Sequence, residues 1–96
     1  MTSTLTGYCE LAGARIYYEA EGDGEPVLFI HAGVANLRMW DQQAMALGDG
    51  YRVIRFDTRG YGRTESEHVE FSNRADAAAV LDEVGEVSAH IVGLSR

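Results

Sequence analysis

VLFIHAGV, residues 27–34, sets a short apolar run against a loop of small residues, with one histidine between them. Side chains alternate across a strand, so a run such as Val27, Leu28, Phe29 and Ile30 is apolar on both faces. That is the pattern of a strand covered on two sides, as in a parallel sheet with helices packed above and below. The small residues that follow then sit at a carboxyl end, where open α/β sheets bind their ligands.

The flanking sequence fits the same layout. Downstream, NLRMWDQQAMALGDG (36–50) places Leu37, Trp40, Ala44 and Leu47 at helical spacing, with Asn36 as the N-cap and Gly48 as the stop. It reads as one amphipathic helix crossing the sheet, with Met39 and Trp40 in the core. YRVIRFD (51–57) is a strand again. Arg55 interrupts its apolar run and needs a partner; Asp57, two residues on and on the same side by strand period, is the nearest candidate. SNRADAAAVLDEVG (72–85) gives a second helix with Ala77, Val80, Leu81 and Val84 on one face, capped by Ser72 or Asn73 and closed by Gly85. SAHIVG (88–93) is the last strand. Upstream, GYCELAGARIYYEAEG (7–22) holds two β-rich runs around the turn AGA, an edge hairpin, and EGDGEP (21–26) is a solvated turn.

The order β-hairpin, β, α, β, α, β implies right-handed crossovers. The expected fold is α/β: a mostly parallel, doubly wound sheet with an amino-terminal β-hairpin and helices on both faces. No linker divides the 96 residues, so a single domain is expected over 1–96.

Composition narrows the function. A net charge of -7 and a pI near 4.7 argue against a nucleic-acid or anionic-membrane surface, both of which need a positive field. All eight basic residues are arginine. Cys9 is the single cysteine, which excludes an internal disulfide and a multi-thiolate metal site, and it reads as a small buried hydrophobe. The sequence shows no signal-peptide pattern and no run of membrane-spanning length. A cytoplasmic location is expected, with no metal and no cofactor.

Three stretches fall at strand carboxyl ends: HAGV (31–34), DTRGYGRT (57–64) and GLSR (93–96). A nucleophilic serine must stand on a sharp strand-to-helix turn with small residues two before and two after it, the pattern GxSxG. Gly93 and Ser95 match its first part; taken alone, so common a tripeptide fits an inert terminal serine better than a nucleophile. The loop after Ile30 adds weight, because small residues let backbone N–H groups point into the cleft. Gly33 and Val34, with the N–H of Arg96, are the candidate donors to an oxyanion. His31 is expected to brace that loop through its ring nitrogens rather than to act as a base. In the third stretch, Gly60 and Gly62 permit a tight turn that Asp57 and Arg59 can pin by charge-assisted hydrogen bonds. A phosphate loop is excluded there by the missing third glycine and the absence of lysine.

Together these motifs resemble the α/β-hydrolase fold superfamily. FIHAGVANLRMW is similar to its oxyanion loop and following helix, VIRFDTRGYGRT to its D-x-R-G-x-G-x-S turn, and HIVGLSR to the first part of its nucleophile elbow. Ala32 replaces the usual glycine, Thr64 the usual serine, and Arg55 sits in a strand that is normally more apolar. The resemblance implies the amino-terminal part of a larger sheet, ending at the elbow, with Ser95 as the nucleophile. It implies acyl chemistry on a small-molecule ester, and points away from the branches that attack through a carboxylate. It also places the acid and histidine of the triad after the serine. Neither His68, in an acidic loop, nor His90, inside the last strand, is a substitute base. The chain alone is therefore expected to be inactive or nearly so without a complementing carboxy-terminal chain. The other reading is a non-catalytic module that pairs, with a partner or with itself, through an exposed strand edge.

Overall fold

The structure is a computed structural model that describes residues 4–11, 13–67 and 72–93. Strands β1 (Thr4–Leu11) and β2 (Ala14–Glu21) form the hairpin, with Leu11 opposite Ala14. Gly13 makes the turn at φ 79°, a conformation that favours glycine. Strand β3 (Glu25–Ile30) runs parallel to β4 (Tyr51–Phe56) on one side and to β6 (His90–Gly93) on the other. The sheet order is β1-β2-β4-β3-β6, and β2 joins β4 antiparallel. The sheet is thus mixed: a parallel half β4-β3-β6 extended by the antiparallel hairpin. A two-residue strand β5 (Glu65–Ser66), too short to register as a hydrophobic pattern, pairs with β2 at Ala14 and Arg15.

The alternation within β3 separates two cores. Leu28 joins Ile16, Tyr18, Ile54 and Phe56 under helix α2 (Asn73–Glu83), which contributes Ala77 and Val80. Val27 and Phe29 join Val53 on the opposite face, under Trp40 and Ala44. Helices therefore cover both faces, and Cys9 is buried in the first core. Ser72 caps α2, its Oγ accepting from the Ala75 N–H at 3.2 Å.

The first helical segment is not one helix. Residues Leu37–Trp40 form a 3-10 turn, and helix α1 begins only at Asp41 and runs to Leu47. The Asn36 side chain accepts from Arg38 N at 2.8 Å, and the Asn36 carbonyl accepts from Met39 N at 3.1 Å, so the entry is wound more tightly than an α-turn. Met39 lies at the surface rather than in the core; Trp40 is buried against Phe29. The last strand starts at His90, two residues later than expected. In the parallel register Ala89 would face Pro26, which has no N–H to offer a ladder.

The chain travels one way across the sheet from β3 to β4 and the other way from β4 to β6. Strands β3 and β6 therefore flank the point where strand order reverses, and the crevice at their carboxyl ends is where such sheets bind ligands.

Candidate active site

Parallel pairing puts Ile30 opposite Gly93, so β3 and β6 end side by side at one rim. Ser95 and Arg96 lie outside the described residues, as does His68. The other candidate residues can be placed.

The loop after β3 is a tight turn closed by Ala35 N donating to the Ala32 carbonyl at 3.2 Å. Gly33 faces open space, with no atom within 4 Å of where a Cβ would stand. Val34 is 89% exposed and adopts φ 61°, a left-handed conformation that is strained for a β-branched side chain. Such strain costs about 1–3 kcal/mol and persists only where the surroundings enforce it.

His31 stands at the entry of this loop with no solvent exposure. The Thr58 N–H donates to its Nε2 at 2.9 Å, so the ring proton resides on Nδ1, which donates to the Ala32 carbonyl at 2.7 Å. Tyr61 packs edge-on against the ring. The basic nitrogen is thus already engaged by backbone, a bracing geometry.

Asp57 is not the partner of Arg55. Strand β4 ends at Phe56 and the period-of-two argument ends with it, so the Asp57 carboxylate turns instead to two backbone amides. Its Oδ1 accepts from Leu37 N at 2.7 Å and its Oδ2 from Arg63 N at 2.8 Å. Thr64 bridges the same turn, donating to the Asp57 carbonyl at 2.5 Å and accepting from Tyr17 N at 2.9 Å. Gly62, at φ 55°, lies against the carboxylate, and a Cβ there would overlap it. Asp57 and Arg59 each make charge-assisted hydrogen bonds from this turn, to different partners. Arg59 binds Asp76 of α2 through two bonds, Nε at 2.8 Å and Nη2 at 3.0 Å, both residues being buried.

Arg55 takes its partners from across the sheet and from α1. Glu19 is opposite it in the β2–β4 register. Its guanidinium donates to Asp41 at 2.7 Å, to Glu19 at 3.2 Å and to the Leu37 carbonyl at 3.2 Å, with Glu21 at 3.5 Å. Burial opposes charge on Glu19, but hydrogen bonds from the Tyr17 hydroxyl and Arg38, and the nearby Arg55 charge, outweigh it and hold the carboxyl below its usual range. Burial, with the Glu19 bond, pushes the Tyr17 hydroxyl up.

Glu19, Asp41, Thr58 and Asp76 are contributors that sequence reasoning missed. Asp76 carried a signal: it stands four residues before Val80, on the buried stripe of α2, where a lone carboxylate demands a cation. A pocket of about 130 Å³ lies between the 3-10 turn and the 57–63 turn, lined by Tyr17, Glu19, Arg38 and Arg63 among others. It includes neither Gly33 nor Gly93. Among the described residues no group of three or more His, Cys, Asp or Glu could hold a metal ion.

The sequence model of the α/β-hydrolase fold matches residues 25–96. The chain belongs to the α/β-hydrolase fold family. This α/β-hydrolase is 39% identical over 77 residues to a non-heme haloperoxidase of Rhodococcus erythropolis, covering 76% of this chain and 28% of the relative. It is 31% identical over 71 residues to a pimeloyl-[acyl-carrier protein] methyl ester esterase of Vibrio cholerae, covering 74% of this chain and 24% of that enzyme. Among solved structures, an epoxide hydrolase from an endophytic Streptomyces superposes with a TM-score of 0.84 at 30% identity, over 96% of this chain and 30% of that one. The chain spans less than a third of the length of these α/β-hydrolase relatives and corresponds to the amino-terminal part of the fold. No helix among the described residues is long and apolar enough to cross a membrane.

Proposed function

We propose that this chain supplies the nucleophile and the oxyanion loop of a serine hydrolase acting on carboxylic esters or related acyl substrates. The supporting observation is the parallel Ile30–Gly93 pairing, which ends β3, from which the Gly33–Val34 loop leaves, beside the end of β6 at one rim and at the reversal of strand order. Ser95 Oγ attacks the ester carbonyl carbon; the bond to the leaving alcohol breaks, and water then releases the acid from the acyl-enzyme. Gly33 and Val34 N–H, with that of Arg96, hold the negative charge on the carbonyl oxygen of the tetrahedral intermediate. His31, Asp57 and Arg59 support the loops and take no proton from the serine. A serine at this position favours acyl chemistry over epoxide opening, which in this superfamily starts from a carboxylate.

A base and its acid partner are still required, and a relative of which this chain covers 28% has room for both beyond the matched region. In this reading the chain is inactive or nearly so by itself, requires no metal or cofactor, and works in the cytoplasm on a small molecule. The test is labelling of Ser95 by a fluorophosphonate probe, in the chain alone and together with polypeptide encoded downstream. Labelling only in the presence of the downstream polypeptide, abolished in S95A, is the expected result. No labelling in either case removes the assignment.

One observation favours a second reading, an interaction module that pairs through a sheet edge. Strand β6 exposes Ile91 at 58% and Val92 at 38%, and among the described residues it pairs only with β3. Such an edge is a template for another strand. Concentration-dependent association in sedimentation, undiminished in S95A and accompanied by no probe labelling, would select this reading.

A further inference from the structure

Leu37 closes the candidate oxyanion loop, and both of its backbone groups are held by side chains of one short segment. Its N–H donates to Asp57 Oδ1 at 2.7 Å and its carbonyl accepts from Arg55 Nη1 at 3.2 Å. The loop's other end is held by the same segment, through Thr58 N and His31. Residues 55–58 therefore fix both ends of the stretch from His31 to Leu37.

Arg55 is the unusual member. Its side chain is only 4% exposed, on a strand whose neighbouring positions Val53, Ile54 and Phe56 are buried and apolar. Three carboxylates and a carbonyl surround the guanidinium: Glu19, Glu21, Asp41 and the Leu37 oxygen. A buried guanidinium facing carboxylates that range from largely buried Glu19 to half-exposed Asp41 is a poor source of stability, since a well-packed apolar side chain of similar volume often does as well or better. What an aliphatic residue cannot do is donate from Nη1 to the Leu37 carbonyl and to Asp41 at the start of α1, while Nη2 of the same rigid plane reaches Glu19 and Glu21 on β2. Val34 supplies an independent sign that the loop is held: a β-branched residue at φ 61° with an exposed side chain has no packing of its own to keep it there.

We propose that Arg55 is a positioning residue for the oxyanion loop: by gripping the Leu37 carbonyl and Asp41 it fixes the loop's exit, and so keeps Val34 in the left-handed conformation that aims the Gly33 and Val34 amides. This rests on reading the loop as an oxyanion hole. The positively charged fork joins the hairpin, through Glu19 and Glu21, to the loop. Displacement of either end therefore reaches the amides.

The experiment is NMR on the isotopically labelled chain, comparing R55M and R55K with the parent. The readouts are the Val34 backbone φ, from three-bond coupling and carbon shifts, and exchange of the Leu37 amide. In R55M the chain stays folded, Val34 leaves positive φ, and Leu37 exchange rises about tenfold: its N–H still has Asp57, but release of its carbonyl loosens the turn that holds that bond. R55K keeps the charge and loses the fork, and shows the same Val34 change with the ion cluster partly retained; if R55M fails to fold, R55K decides. A folded variant whose Val34 φ and Leu37 exchange match the parent overturns the proposal. The outcome is separable from the catalytic reading: a moved Val34 with no probe reaction at Ser95 in any form keeps Arg55 as an anchor and removes the oxyanion role.

Discussion

Arg59 and Asp76, seventeen residues apart, meet in a buried two-bond pair that ties the turn after β4 to helix α2. Neither charge has water to fall back on. Removing Asp76 breaks both of these bonds to a buried guanidinium, and losing one side of a buried ion pair costs about 3–5 kcal/mol. D76A is expected to lower the denaturant midpoint by that amount. The double replacement R59M/D76L is expected to cost less than D76A alone, because apolar side chains of similar size take the place of both buried ions. A D76A variant as stable as the parent would mean that the pair does not hold the turn.

The two glycines of the 57–64 turn should respond differently to alanine. Both have positive φ, 88° at Gly60 and 55° at Gly62, but only at Gly62 would a Cβ overlap the Asp57 carboxylate. G60A should cost about 1–2 kcal/mol, the penalty of the left-handed conformation. G62A should cost more, and should also shift the Leu37 and Arg63 amide resonances, since Asp57 binds both. Equal losses in the two variants would contradict the Asp57 geometry.

The Glu19 carboxyl is held below its usual range. In acid the unfolded chain therefore binds this proton before the folded one does, and stability falls with pH across that window. The contribution is present above the ordinary carboxylate pKa of about 4.3 and disappears as pH drops through the lowered folded value. E19Q is expected to flatten that acid limb of the stability curve while also losing stability at neutral pH. An unchanged limb in E19Q would assign the acid sensitivity to other carboxylates.

Cys9 is buried at 4% exposure, and burial, with the nearby charges of Glu83 and Asp76, pushes its thiol upward. Thiolate is the reactive form, so a thiol reagent should modify Cys9 only through unfolding. The labelling rate should rise in urea in step with loss of far-ultraviolet circular dichroism. Rapid modification in native buffer would contradict the packing of β1 under α2.

What the sequence disclosed and what it withheld divide along local and non-local physics. The strand Val27–Ile30, the Ser72 cap and the apolar stripe Ala77–Val80–Val84 follow from periods of two and 3.6 within single segments, and all three are present. The partner of Arg55 does not follow from any segment. It depends on β2 lying beside β4 in a register that sets Glu19 opposite Arg55, a fact of topology. Proximity in sequence favoured Asp57, but the strand had already ended. The split of the first helix likewise comes from outside it, since Asn36, Arg55 and Asp57 each hold a backbone group of its first turn. The motif at Gly93 was legible as a pattern, and the structure adds that Gly93 shares a rim with Ile30.

The most direct test of the central claim is a crystal structure of the phosphonylated adduct at Ser95, formed with the downstream polypeptide present. The account predicts that the phosphoryl oxygen sits at hydrogen-bond distance, about 2.7–3.1 Å, from the Gly33 or Val34 amide. An adduct whose oxygen points to solvent or to another donor set, with the 33–34 amides turned away, would contradict it.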